Sequence, residues 1–292
     1  MPALLANVLI PGLFVLIWAT GFIAARFVAP YAQPMPFVAL RVMGVALVLA
    51  AIALALRARW PRTGAGWRDA MVAGVLMQGC YIVGVFWAIH RGLPAGIAAL
   101  VGSLQPLATA MLAGPVLGEA VSRRRWFGIG LGFLGAGLVL APKIGAADPA
   151  GIPPVALAAC AGAVAAITLG TLWQKRTGAD ADLLATATLQ FVGACLVAVP
   201  LALLSGDGLG VPLLLPVWLG MAWSVLVSSV AGILLLLVLI RRGAVAGVSA
   251  LLFLVPPVSA AMAYLMFGEA LTGLQIAGMA VAAVGVAVAN RG

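Results

Sequence analysis

Leu117-Gly118-Glu119-Ala120 returns 150 positions later as Phe267-Gly268-Glu269-Ala270, and the apolar segments on either side return with it. In the same ungapped register Leu104 meets Leu254, Pro106 meets Pro256, Gly128 meets Gly278 and Gly135 meets Gly285. Two greasy helices share alanines and leucines by chance. A proline, a glutamate and two late glycines in register point instead to one unit written twice. The basic residues do not return: Arg123, Arg124 and Arg125 stand opposite Gly273, Leu274 and Gln275. A repeat that crosses a membrane in the opposite sense has this property, and such inverted repeats commonly enclose a shared midplane site.

The membrane follows from composition. The 292 residues are 65% hydrophobic and 8% charged, with a mean hydropathy of +1.22, whereas soluble domains run at about 45–50% apolar and roughly 25% charged. The expected partners are a lipid bilayer, from this composition, and a small-molecule substrate, from the inverted repeat and its midplane site. A net charge of +9 would suggest nucleic acid in a soluble chain. Here nearly every basic residue falls in a short gap between apolar runs, so no nucleic acid is expected. Cys80, Cys160 and Cys195 lie inside apolar segments without ligand spacing, which supports neither a disulfide framework nor a metal site. No basic residue precedes the first apolar run, which is expected to be a first span and not a cleaved signal.

At about 20 apolar residues per crossing, spans fall near 5–25, 36–56, 69–89, 95–116, 125–141, 153–174, 183–204, 216–239, 245–266 and 271–289. The expected fold is an all-α membrane protein of ten transmembrane helices in two inverted five-helix repeats, 1–145 and 146–292. Five spans end on the face opposite their start, so the second copy enters inverted. With a cytoplasmic N-terminus the inner side receives Arg57, Arg59, Arg62, Arg68, Arg123, Arg124, Arg125, Lys175, Arg176, Arg241, Arg242 and Arg291. The outer side keeps Arg26, Arg91 and Lys143. That bias of about four to one places both termini in the cytoplasm under the positive-inside rule.

Polar side chains deep in a span are costly in hydrocarbon and usually face the protein interior or a wet cavity. Gln78, Ser103, Gln105, Gln190 and Ser228, with its neighbour Ser229, are the candidates to line a substrate site. Interhelical hydrogen bonding is the competing role. Gln78 and Tyr81 are three apart and would share one α-helical face, a wall offering an amide and a ring. Trp18 and Phe253 add aromatic surface. Arg41, the one strong charge well inside a span, could meet a substrate carboxylate or snorkel outward. Pro106 and the pair Pro256-Pro257 occupy equivalent places inside spans and are expected hinges, since each lacks a donor. Trp60, Trp67, Trp126 and Trp218 flank spans as interfacial anchors. Glu119 and Glu269, with Ser122 and Thr272, suit helix N-termini. Gly128, Gly132 and Gly135, and Gly278, Ala282 and Gly285, form stripes expected to pack the two repeats together.

Taken in order, these residues resemble the drug/metabolite transporters with two EamA-type repeats. The first repeat is similar at Trp18, Gly21 and Phe22, Arg41, Trp87-Ala88, Ala98-Ala99-Leu100, Pro106 and Gly118-Glu119. The second is similar at Gly170-Thr171, Lys175-Arg176, Ser228-Ser229, Arg241-Arg242, Pro256 and Gly268-Glu269. Ile167 departs from the pattern, standing where many members carry tryptophan. The resemblance implies a ten-helix carrier in a bacterial inner membrane, closest in look to the branch exporting aromatic amino acids. It implies alternating-access export of small amphipathic metabolites. The alternatives are export of cationic drugs or other metabolites by proton exchange, or a channel-like pore.

No catalytic residue and no cofactor are expected. A Gly-rich loop with Lys-Ser/Thr is missing from the sequence, which argues against an ATP-driven pump, and no midplane catalytic set argues for an enzyme. No Asp or Glu lies at a span centre and His90 is near an outer end, which tilts the reading toward facilitated export. The sequence sets no oligomeric state; a monomer is compatible with it.

Overall fold

The computed structural model describes residues 2–118, 122–145, 153–177, 182–241, 251, 254–267 and 272–290. Every regular element among them is helical. In chain order these are α1 (Pro2–Val28), α2 (Pro34–Ala55), α3 (Gly64–Gly74), a π-helical segment π1 (Val75–Cys80), α4 (Tyr81–His90), α5 (Ala95–Ser103) and α6 (Gln105–Leu117). Then come α7 (Arg123–Gly145), α8 (Pro154–Thr177), α9 (Leu183–Leu204), α10 (Leu215–Ala222), a second π segment π2 (Trp223–Ala231), α11 (Gly232–Arg241), α12 (Val255–Phe267) and α13 (Gly273–Asn290).

Among the described residues six stretches are long and apolar enough to cross a membrane: Leu9–Val28, Pro34–Ala55, Gly64–His90, Pro154–Thr177, Leu183–Leu204 and Leu215–Leu236. Pro257–Met266 and Gly273–Ala289 are shorter apolar helices. The expected span 95–116 is not one rod. Leu104 forms a turn between α5 and α6, its N–H donating to the Val101 carbonyl. The expected span 245–266 begins outside the described residues.

Local chemistry fixes the helix ends. Pro34 starts α2, where its missing donor costs nothing. The same helix stops at Arg57, which takes φ 50° while the Ala58 N–H returns to the Ala53 carbonyl at 2.8 Å, a left-handed cap usually given to glycine. The Thr63 hydroxyl accepts from the Gly66 N–H at the start of α3, and the Asp182 carboxylate from the Leu184 N–H at the start of α9. At α13 the Gln275 N–H donates to Thr272 Oγ1 while the Thr272 N–H donates to Gln275 Oε1, a reciprocal capping box. Ser122 and Thr272 thus cap as expected; Glu119 and Glu269 lie outside the described residues.

The starts of α2 and α9, α3 and α10, α6 and α12, and α7 and α13 are 149, 151, 150 and 150 residues apart. Shifted by the same interval, π1 falls inside π2. The compact units nevertheless are not the sequence halves. One consists of Met1–Ile23, Leu93–Pro153 and Leu235–Gly292, the other of Ala24–Gly92 and Pro154–Leu234.

In the first unit α7 and α13 run antiparallel along the glycine stripes. A Cβ on Gly135 would lie 2.7 Å from Ala282 Cα, one on Gly285 2.8 Å from Gly132 Cα, and one on Gly128 2.7 Å from Ala289 Cα. Backbones meet at these points. Lipid tails are as apolar as leucine, so van der Waals packing of this kind, more than the hydrophobic effect, holds membrane helices together. Ile129 and Ala289 form a small core there, joined by Leu107, Phe133 and Leu254.

In the second unit α2 packs on α9 and on π2, while α3 and π1 pack on α8 and α9. Phe37, Val38, Val42, Val45 and Leu49 of α2 are fully buried, as is Phe191 of α9. Gly74 leaves room for the Gln190 backbone and Gly193 for the Met71 backbone. At one end the Arg59 carbonyl accepts from the Asp182 N–H, which gathers Arg57, Arg59, Arg62, Lys175 and Arg176 on that side. Trp60 and Trp67 stack there at 5.7 Å, with Trp67 Nε1 donating to the Pro61 carbonyl. At the other end the segments 29–33, 90 and 207–212 come together.

Candidate functional site

Arg41 lies seven residues after Pro34, so about 10 Å along α2 at ~1.5 Å per residue. It is 6% exposed. Its Nη2 donates to Ser229 Oγ of π2 at 3.1 Å, a contact 188 residues away in sequence. The guanidinium carbon stands 5.2 Å from the centroid of the Phe86 ring, a cation–π distance. Phe86 in turn stacks on Phe37 at 5.8 Å and 19°. Tyr81 is near enough to feel both the guanidinium and the Cys160 thiol electrostatically. Among the described residues no carboxylate pairs with Arg41, and its Nε has no acceptor. A buried guanidinium with one neutral partner and an idle donor is an expensive arrangement.

The same unit holds further buried polar atoms without partners: Gln190 Nε2, Ser224 Oγ and Trp173 Nε1. Gln190 is 5% exposed and Ser224 is fully buried. Ser224, Ser228 and Ser229 all lie in π2, and Gln78 lies in π1. A π turn closes i→i+5, is rare, and is frequently found at functional sites. Gln78 and Tyr81 would share one face of an α-helix; Gln78 instead lies in π1, whose wider turn rotates i and i+3 further apart, and Tyr81 is the first residue of α4.

Two cavities lead toward this cluster. An open depression of about 360 Å³ is lined by Tyr31, Gln33, His90, Asp207, Gly210 and Pro212, together with Ala29 and Ala32. A cavity of about 10 Å³, also lined by Ala29, Ala32 and His90, is closed by Phe37 and Phe86. The stacked phenylalanines therefore belong both to the inner wall of the small cavity and to the bed of Arg41.

The remaining candidates belong to the first unit. Trp18 is half-buried against Phe14, with ring centroids 5.3 Å apart. Ser103 is the last residue of α5 and Gln105 the first of α6. Pro106 is the second residue of α6, and Pro256 and Pro257 are the second and third of α12. Pro106 thus follows the turn at Leu104, and all three prolines stand in a first helical turn, where a donor is not needed. Phe253 lies outside the described residues.

The structure thus brings Arg41, Tyr81 and Ser229 together, with Gln78, Gln190 and Ser228 in the same unit, and keeps Trp18, Ser103 and Gln105 in the other. Sequence reasoning missed Phe37 and Phe86 as the bed of Arg41 and did not single out Trp173, whose Nε1 is buried without a partner. Phenylalanine and tryptophan in an apolar run carry no signal that would single them out.

The EamA-like transporter family profile matches the chain twice, at residues 8–141 and 154–291. Protein PecM of Dickeya dadantii (strain 3937) is 29% identical over 267 residues, covering 90% of this chain and 85% of PecM. A solved crystal structure of a protein superposes with a TM-score of 0.72 over 97% of both chains at 20% identity; at that identity the likeness concerns the fold alone. With both halves matched by one family profile, this multi-pass membrane chain belongs to the EamA-like transporter family.

Proposed function

We propose that the protein is a secondary carrier that exports small amphipathic metabolites, aromatic and other neutral amino acids foremost, by alternating access. In this reading ten crossings form two inverted five-helix repeats in a bacterial inner membrane, with both termini cytoplasmic. The observation that carries it is that, among the described residues, four buried polar groups without partners, Arg41 Nε, Gln190 Nε2, Ser224 Oγ and Trp173 Nε1, lie in one apolar unit, against two, Thr109 Oγ1 and Ser259 Oγ, in the other. Buried polar groups are normally paired, and unpaired ones in a membrane protein mark substrate pathways. The packing of α7 on α13 supports inversion. Gly132 meets Gly285 and Gly135 meets Ala282, pairs that exchange under the 150-residue shift, as an in-plane two-fold requires. The breaks at Pro106 and Pro256-Pro257 fall at equivalent places and serve as hinges in this mechanism.

Counterflow in proteoliposomes tests the reading. Preloading with unlabelled phenylalanine should accelerate uptake of labelled phenylalanine, with saturation. Flux linear in solute and indifferent to preloading would make the protein a pore. Transport of a cationic drug with no transport of phenylalanine or threonine would replace the amino-acid assignment.

A further inference from the structure

We infer that Arg41 is the carboxylate receptor of the transport pathway, so that the solutes carried are carboxylates or zwitterions and not cations; this rests on the carrier reading above. Four observations converge. Arg41 is 94% buried by its 6% exposure, has no carboxylate partner among the described residues, leaves Nε–H without an acceptor and holds Nη2 on Ser229 Oγ at 3.1 Å. Guanidinium donors match a carboxylate in a two-pronged fork, and the idle Nε edge offers one prong.

Stability gives no reason for the charge. Replacing buried ionic groups by apolar ones of similar size is often neutral or favourable, and an α2–π2 tether needs only a neutral donor. Bound to an anion, the guanidinium gains the partner it lacks. The neighbouring surface suits the rest of the solute. Phe86 lies under the guanidinium and stacks on Phe37, giving an apolar face beside the charge. Phe37 and Phe86 also line the small cavity, which shares Ala29, Ala32 and His90 with the open depression, so the stacked pair lies between that cavity and the guanidinium. An uncompensated positive charge in a low-dielectric interior repels amines and other cations.

The test separates binding from transport. Calorimetry on the purified full chain in detergent measures 3-phenylpropionate, phenylalanine and phenethylamine, which share the ring and differ in the charged group. Binding of the first two with phenethylamine at least about 10-fold weaker is expected, the range of a charge-assisted hydrogen bond. Arg41→Gln should abolish that preference, and Arg41→Lys should restore part of it. Phenethylamine binding as tightly as 3-phenylpropionate in wild type overturns the inference, as does a carboxylate preference that survives Arg41→Gln. If Arg41→Gln does not fold, the wild-type ligand series decides alone. Failure of counterflow with intact, Arg41-dependent carboxylate binding would sink the carrier reading and keep only the assignment of Arg41 as a carboxylate-binding residue. Saturable counterflow of phenethylamine but no carboxylate would do the reverse.

Discussion

Gly135 and Gly137 sit two residues apart on α7 and should respond oppositely to alanine. A Cβ on Gly137 meets nothing within 4 Å, whereas one on Gly135 would lie 2.7 Å from Ala282 Cα and 2.7 Å from the Gly278 carbonyl oxygen. The Ala282 backbone nitrogen is nearer still and ordinary contact begins near 3.4 Å, so the α7 and α13 backbones must separate by about 1 Å at that point. A gap of 0.5–1 Å forfeits about a quarter to a half of each dispersion contact. Overpacking costs about 1–3 kcal/mol. Helix propensity returns up to about 1 kcal/mol to alanine over glycine at either position. Gly137→Ala should therefore be neutral or stabilising by up to about 1 kcal/mol. Gly135→Ala should be destabilising by roughly 0–3 kcal/mol, the difference of those two ranges, and less stable than Gly137→Ala by about 1–3 kcal/mol because the propensity gain is common to both. Thermal unfolding of the detergent-purified protein, followed by tryptophan fluorescence, reads both. Gly135→Ala as stable as Gly137→Ala would mean that the two helices do not approach this closely.

Three further outcomes are expected. Gln190→Leu removes a buried amide whose Nε2 has no partner, so the unfolding free energy should hold or rise, by up to about 1 kcal/mol, while phenylalanine counterflow falls; a stability loss above about 2 kcal/mol would show that Nε2 is paired. Arg57→Gly should stabilise the end of α2 by about 0.5–1 kcal/mol, since φ 50° suits glycine, and an unchanged or lower unfolding midpoint would contradict that backbone conformation. In a background without Cys80, Cys160 and Cys195, single cysteines at Arg59 and Asp207 should react with impermeant maleimide from opposite faces of the membrane, and labelling from one face would break the assigned topology.

What could be read from the sequence was whatever repeats or costs energy. The 150-residue echo appears again in the helix starts, because helix ends depend on local residues such as Pro34, Thr63 and Asp182. The seam between α7 and α13 was legible because small residues at helical spacing have few other uses. Arg41 was legible as an anomaly, but its partner was not: one hydroxyl among several, 188 residues away, is fixed only by packing α2 on π2. The π segments left no trace, since one extra residue in a turn changes neither composition nor hydropathy. That is why the sequence placed Gln78 on an ordinary α-turn and not in π1. The grouping into interleaved units was equally hidden, because hydropathy marks a span without saying which other span it touches.

The interleaving has a consequence for synthesis. α2 packs on α9, which begins 149 residues later, and at roughly 5–20 residues per second the ribosome needs about 7–30 s to supply it. Arg41 waits longer still for the hydroxyl of Ser229. During that interval a lone guanidinium sits on a nascent helix with nothing of the finished protein to receive it. Lipid headgroups, water or the insertion machinery must shelter it, so chains stalled before residue 229 should be the ones most exposed to membrane quality control.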